Sequence, residues 1–341
     1  MPTSRQGDGH PSPTAVSAVG LRKSYDGKLV LDGIDLRIPA GSVFALLGPN
    51  GAGKTTAVKI LSTLITADAG DLHVGGHNLA ADPQAVRAAI GVTGQFSAVD
   101  GLITGEENML LMADLHHLSK SEGRRVASEL LERFDLMEAA KKPASTYSGG
   151  MKRRLDLAMT LVGNPRIIFL DEPTTGLDPR SRHNMWQIIR GLVSDGVTVF
   201  LTTQYLDEAD ELADRIAVLN DGRIAAEGTA EELKRLIPGG HIRLRFTDSA
   251  AYQSAADALR EATLPQALGF ARAGGTPIDE ALSLSIPSDG SQRELRSILD
   301  WLDSAGIEAD ELTVHTPDLD DVFFALTGPA NLPNQSKDTV R

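Results

Sequence analysis

The sequence predicts an α/β fold, a mainly parallel β-sheet layered with helices, followed by a smaller α+β unit. Three observations lead there. Short apolar runs at Val43–Leu47, Ile167–Leu170 and Val197–Thr202 sit between glycine, proline or polar residues, the pattern of strands buried on both faces. Segments of helical character lie between these runs, and strand alternating with helix indicates a parallel sheet. Directly after the first run comes a glycine-rich G-x-x-x-x-G-K-[ST] segment, placed where a strand-to-helix turn is expected.

Taken in order, residues 1–14 are rich in Pro, Gly and Ser and should form a disordered tail, as should residues 329–341. Alternation at Val16–Leu21 and Leu29–Ile38, around Asp26-Gly27, predicts an antiparallel strand pair. The buried run Val43–Leu47 follows a turn at Pro39–Ser42, Thr56–Leu64 is helical, and Ile90–Thr93 is strand-like. From Thr104 to Lys142 the period is helical, with capping boxes at Thr104/Glu107 and Ser119/Glu122. A further helix is predicted from Met151 to Val162, and a hairpin at Ile216–Leu219 and Arg223–Ala226 around Asp221-Gly222. Thr229 with Glu232 caps a short helix.

Pro238-Gly239-Gly240 reads as a linker, giving a first domain over 15–237 and a second over 240–328. The second should contain strands at Ile242–Phe246, Ala281–Ile286 and Glu311–His315. Its helices are expected at Ala250–Ala262, Gln292–Ala305 and from Asp318 to Gly328. About a hundred residues can hold a core of their own.

Composition removes several classes of function. With 33 Lys+Arg against 46 Asp+Glu, the net charge is -13, which argues against nucleic acid or anionic lipid as the main partner. There is no cysteine, so disulfides, thiolate metal sites and thiol catalysis are excluded. No apolar run approaches the ~18 residues of a membrane-spanning helix. The N-terminus lacks the apolar centre of a secretory signal, so a soluble, cytoplasmic protein is expected.

The chemistry is concentrated in three motifs. Gly48, Pro49, Asn50, Gly51, Ala52, Gly53, Lys54 and Thr55, with Thr56 after them, form a phosphate loop. Its glycines let backbone N–H groups surround phosphate oxygens, and the following helix adds partial positive charge. Lys54 should reach the β- and γ-phosphates of ATP, and the Thr55 hydroxyl should ligate Mg²⁺. The run Ile167–Leu170 then ends in Asp171, placed to hold the magnesium, and Glu172, placed to take a proton from the attacking water. Ser148, Gly149 and Gly150 form a second anion-binding turn at a helix start, one more than a single ATP requires.

Phosphate loop, Ser-Gly-Gly turn and Asp-Glu strand, in that order, resemble the nucleotide-binding domain of ABC transporters over residues 15 to 235. The resemblance implies a parallel-sheet core, an antiparallel β subdomain and a helical subdomain at about 97–146. It also implies a homodimer in which each Ser148 turn closes over the ATP of the other copy. A separate transmembrane permease would hold the pair at the cytoplasmic face of the membrane. By the same resemblance Gln95 contacts Mg²⁺ or the water, Tyr25 stacks on adenine, and Asp178, in Gly176-Leu177-Asp178-Pro179, crosses the dimer interface. Two positions depart from the family pattern: Met151 stands where many members have Gln, and Gln204 where His is usual. Gln204 can donate to the γ-phosphate but cannot become cationic.

Three segments resemble the daunorubicin/doxorubicin resistance ATP-binding subgroup, which implies export of a drug, antibiotic or lipid-like molecule. They are Gly94–Asp100, Thr203–Asp210 and Leu319–Phe324. A soluble ABC ATPase of translation or DNA repair, and an importer energiser, are the competing readings. Four other features take plain structural readings. His73/His77 and His116-His117 lack metal-site companions; Lys152-Arg153-Arg154 and Arg124-Arg125 are expected as solvated helix faces; and Asp207-Glu208 with Asp210-Glu211 as an exposed face.

Overall fold

A computed structural model describes residues 13–95, 97–236, 240–261, 282–288, 291–315 and 317–327. The expected tails, apart from residues 13 and 14, lie outside these ranges, as do Pro238, Gly239, Ala262 and Ala281. The chain divides after Ala230 into two compact units.

The first unit is built on two sheets. In the antiparallel one, β1 (Thr14–Tyr25) lies between β2 (Lys28–Pro39) and β4 (Ala69–Val74), and the short β5 (His77–Asn78) forms the far edge. The other holds β3 (Val43–Leu47), β6 (Ile90–Thr93), β7 (Ile167–Asp171), β8 (Thr198–Thr203), β9 (Arg215–Asn220) and β10 (Arg223–Gly228). Its order is β10-β9-β3-β8-β7-β6, parallel throughout except for the β9–β10 hairpin. Strands β3, β7 and β8 are buried along their whole length, which explains their apolar runs; the polar residues at the ends of β7 and β8, Asp171, Thr202 and Thr203, are buried as well.

Because β3, β8, β7 and β6 run the same way, their C-terminal ends meet at one edge of the sheet. The paired registers Leu47↔Thr203, Asp171↔Thr202 and Thr93↔Leu170 fix that alignment. The turns after these four strands carry Gly48, Gln204, Glu172 and Gln95. Fold alone therefore gathers residues that are as much as 156 positions apart in the chain.

The centre of the sheet is aromatic. Phe44, Phe200 and Phe169 occupy matched positions on β3, β8 and β7, with ring centroids 5.6 and 5.4 Å apart. All three are fully buried in a core shared by both sheets and α1 (Lys54–Leu61). Helices α3 (Gly105–Leu115) and α4 (Lys120–Arg133) start where the capping residues place them. Thr104 and Glu107 form both halves of their box. At α4 the Ser119 hydroxyl accepts from the Glu122 N–H, but Glu122 turns its carboxylate to Arg125 instead of the cap backbone. The remaining helices of this unit are α2 (Pro83–Ala89), α5 (Gly149–Thr160), α6 (Pro179–Ser194) and α7 (Leu206–Leu212); α8 (Ala230–Lys234) straddles the division.

The second unit has a three-stranded antiparallel sheet in the order β12-β11-β13, from β11 (His241–Arg245), β12 (Ser283–Pro287) and β13 (Glu311–His315). Ala255 of α9 (Ser249–Glu261) and Ile298 and Leu302 of α10 (Gln292–Ser304) pack on Ile242, Leu244 and Ile286. A last helix, α11, spans Leu319–Thr327.

Elements β4, β5 and α2 were not legible in the sequence. Only Leu72 and Val74 of β4 are buried, so the strand carries no apolar run. Helix α2 has seven residues, too few to show a period, and is set by its Asp82 cap and Pro83.

Truncating the middle ring of the aromatic ladder tests its importance. Phe200→Ala should cost ~3–5 kcal/mol in a denaturant melt, as large-to-small changes in a closed core do. A loss below about 1 kcal/mol would mean that the sheet does not depend on this stack.

Candidate nucleotide site

The loop from Gly48 to Gly53 passes close against its own fold. A Cβ at Gly48 would collide with the Leu219 carbonyl oxygen, and one at Gly53 would lie 2.6 Å from Leu31 Cδ2. Gly53 also has φ 111°, in the left-handed region, and caps α1. A side chain at either position would displace the loop, whose backbone N–H groups suit phosphate oxygens.

Lys54 is buried at the centre of the loop. Its Nζ donates to the Gly48 carbonyl at 2.7 Å and the Pro49 carbonyl at 3.2 Å, and it stands 3.9 Å from Glu172 Oε1. Burial pushes its pKa down, while the charges of Glu172 and Asp171 oppose that shift. Two carboxylates thus stabilise the ammonium that a phosphate would need.

The end of β7 separates its two acidic residues. Asp171 Oδ1 accepts from Thr202 Oγ1 at 2.5 Å and from Thr55 Oγ1 at 3.3 Å. Glu172 has φ 50°, so the chain turns sharply after Asp171. The Glu172 N–H donates to the Thr202 carbonyl at 3.1 Å and to its hydroxyl at 3.2 Å, and Thr175 Oγ1 donates to Glu172 Oε2 at 3.2 Å. One hydroxyl, that of Thr202, thereby touches both acidic residues. Asp171 and Thr55 together offer hard oxygen donors, which fit Mg²⁺.

Ser148 caps α5, its Oγ accepting from the Met151 N–H at 3.3 Å. Ser148 and Gly149 are exposed, and a Cβ at Gly150 would lie 2.6 Å from Ser181 Oγ. The turn is a surface feature, well separated in sequence from the phosphate loop of its own chain.

Similarity to known proteins accords with this geometry. Residues 31–175 match the ABC transporter family model. The chain is 47% identical over 92% of its length to the daunorubicin resistance ATP-binding protein DrrA3 of Streptomyces coeruleorubidus, covering 96% of that protein. It is 45% identical, over 92% of each, to the daunorubicin/doxorubicin resistance ATP-binding protein DrrA of Streptomyces peucetius. The chain belongs to the ABC transporter family. A dimeric ATP-binding cassette solved in a post-hydrolysis state with ADP and phosphate is 28% identical, with TM-score 0.58, covering 63% of this chain and 98% of that one. This ABC protein is therefore an ATP-binding, ATP-hydrolysing subunit, and subunits of its kind dimerise and work with a membrane permease. No helix among the described residues is long and apolar enough to cross a membrane.

The other expected site residues have definite places. Gln95 and Gln204 are exposed at the same sheet edge. Tyr25 is exposed at the tip of β1, with Lys23 Nζ 5.4 Å from its ring centroid. Asp178 caps α6, accepting from the Ser181 N–H at 3.0 Å and from its hydroxyl at 2.6 Å.

Two expectations of solvated charge fail. Lys152-Arg153-Arg154 is not simply a wet helix face. The Arg153 side chain is only 12% exposed and that of Arg154 18%, and Arg154 Nη1 donates to the Phe134 carbonyl at 2.9 Å. Nor is Glu208 on an exposed face. It is fully buried, Trp186 Nε1 donates to it at 3.3 Å, and burial pushes its pKa up. The sequence also gave no role to Thr202 or Asp156. For Asp156 a signal existed, because Arg153 and Asp156 stand three apart on a helix that must bury one face.

Lys54→Ala should weaken ATP binding by ~1.5–3 kcal/mol, the worth of a charged hydrogen bond, in a titration with a fluorescent ATP analogue. Unaltered affinity would place the phosphates outside this loop.

Proposed function

We propose that this chain energises an export pump for a drug, antibiotic or lipid-like molecule, working as a homodimer on a separate permease at the cytoplasmic face of the membrane. The observation that carries this reading is the meeting of Lys54, Thr55, Asp171 and Glu172 at the phosphate loop, in a chain similar to drug-resistance subunits almost end to end.

In this reading the loop from Gly48 to Thr56 binds the triphosphate of ATP, and Lys54 exchanges its carbonyl partners for phosphate oxygens. Asp171 and Thr55, with Gln95, would hold Mg²⁺, which would supply positive charge to offset that of the phosphates. Glu172 orients the attacking water and takes its proton, help typically worth ~10²–10⁴ in rate. Gln204 donates to the γ-phosphate without adding charge, and Tyr25 supports adenine. Ser148, Gly149 and Gly150 of one copy close over the nucleotide of the other, beside Asp178. ATP favours the closed pair because its γ-phosphate meets both copies, and ADP lacks that contact. Cargo contacts belong to the permease.

Glu172→Gln separates binding from turnover. ATP affinity should persist while hydrolysis falls by ~10²–10⁴. The variant should also elute as a dimer with ATP and as a monomer without it. A variant that hydrolyses at the parent rate, or stays monomeric under saturating ATP, would contradict the assignment.

A further inference from the structure

The Arg153 guanidinium hydrogen-bonds to five residues. From the first turns of α5 it reaches across to the ends of two strands. Its Nε donates to the Pro173 carbonyl at 2.8 Å, and its Nη2 donates to the carbonyls of Asp171 at 3.1 Å and Glu172 at 3.2 Å. Its Nη1 donates to the Gly94 carbonyl at 2.9 Å, directly before Gln95, and to Asp156 Oδ2 at 3.4 Å. Asp156, its side chain 4% exposed, accepts the Ala98 N–H on its other oxygen at 3.1 Å.

The pair therefore pins the Gln95 segment on both sides, at Gly94 and Ala98, and pins the Glu172 turn at three consecutive carbonyls. Only a planar guanidinium can do this, since its five donors leave in fixed directions. The ammonium of lysine is a single point on a flexible stem and would serve one or two of these oxygens at a time. The helix that supplies Arg153 begins at Ser148, so a shift of that turn is carried to Glu172 and Gln95 through one rigid side chain.

We propose that Arg153, held by Asp156, is a positioning residue for ATP hydrolysis: it sets the Glu172 turn and the Gln95 segment in register and ties both to the Ser148 helix. The proposal rests on the reading of Glu172 as the group that activates water. Among the described residues the Arg153 hydrogen bonds go to backbone carbonyls and Asp156, so it acts through the geometry of other residues.

The test uses the full chain, with Arg153→Lys and Arg153→Met compared by steady-state ATPase kinetics, nucleotide titration and thermal melting. Lysine keeps the charge against Asp156, which protects folding; methionine removes every donor. Turnover should fall in the order Arg, Lys, Met, by about tenfold to a hundredfold at the end, as small misplacements of a reacting group do. KM for ATP should stay within about twofold, the mark of an interaction that matters after binding. Parent turnover in Arg153→Met would overturn the proposal. So would a fall in turnover, affinity and melting temperature together in both variants, because a purely structural arginine behaves that way. Glu172→Gln measured alongside separates the two readings. If it retains full turnover while Arg153→Met loses it, the base assignment fails and Arg153 still positions the Gln95 segment; the reverse pattern overturns Arg153 alone.

Discussion

Successive residues of a strand point to opposite faces, so two acidic neighbours can serve one site only if the backbone turns between them. Here it turns at Glu172, whose φ of 50° is uncommon for a residue with a side chain. Such a conformation costs ~1–3 kcal/mol and survives only where its surroundings hold it. They do: the Thr202 carbonyl and hydroxyl receive the Glu172 N–H, and Arg153 fastens the carbonyls of Asp171, Glu172 and Pro173. Asp171 is left facing Thr55, with Glu172 beside Lys54. One residue is thereby placed for a metal and its neighbour for water.

The parallel sheet makes this turn useful. Four strands end at a common edge, so the phosphate loop, the acidic turn and the two glutamines arrive together without any long-range recognition between them. The stack of Phe44, Phe200 and Phe169 holds three of those strands in register from below. Packing in the core and geometry at the edge are consequences of one strand order.

Much of this could be read from the sequence, for physical reasons. Strands buried on both faces are rich in apolar residues, so the runs in β3, β7 and β8 stood out, and a phosphate loop needs glycine where backbone approaches backbone. The capping residues Thr104, Ser119 and Ser148 marked their helix starts within a residue or two. The misreadings share a cause. Arg153 and Glu208 are charged, and charge in a helix usually means solvent; here carbonyls and an indole N–H take the place of water. Strand β4 failed for the opposite reason, since only two of its side chains are buried and they leave no apolar run to see. Thr202 could not be found at all, because a hydroxyl inside a buried strand looks like any other β-branched residue until its partners are known.

That hydroxyl gives the most direct test of how the two carboxylates are divided. Thr202→Val keeps the shape of the side chain and removes a hydroxyl that binds the Asp171 carboxylate and the Glu172 N–H. Steady-state ATP turnover in the variant should drop about tenfold or more, within the range of a lost charged hydrogen bond, and Thr202→Ser should restore it. Parent-level turnover in a folded Thr202→Val protein would show that the acidic pair is ordered by something else.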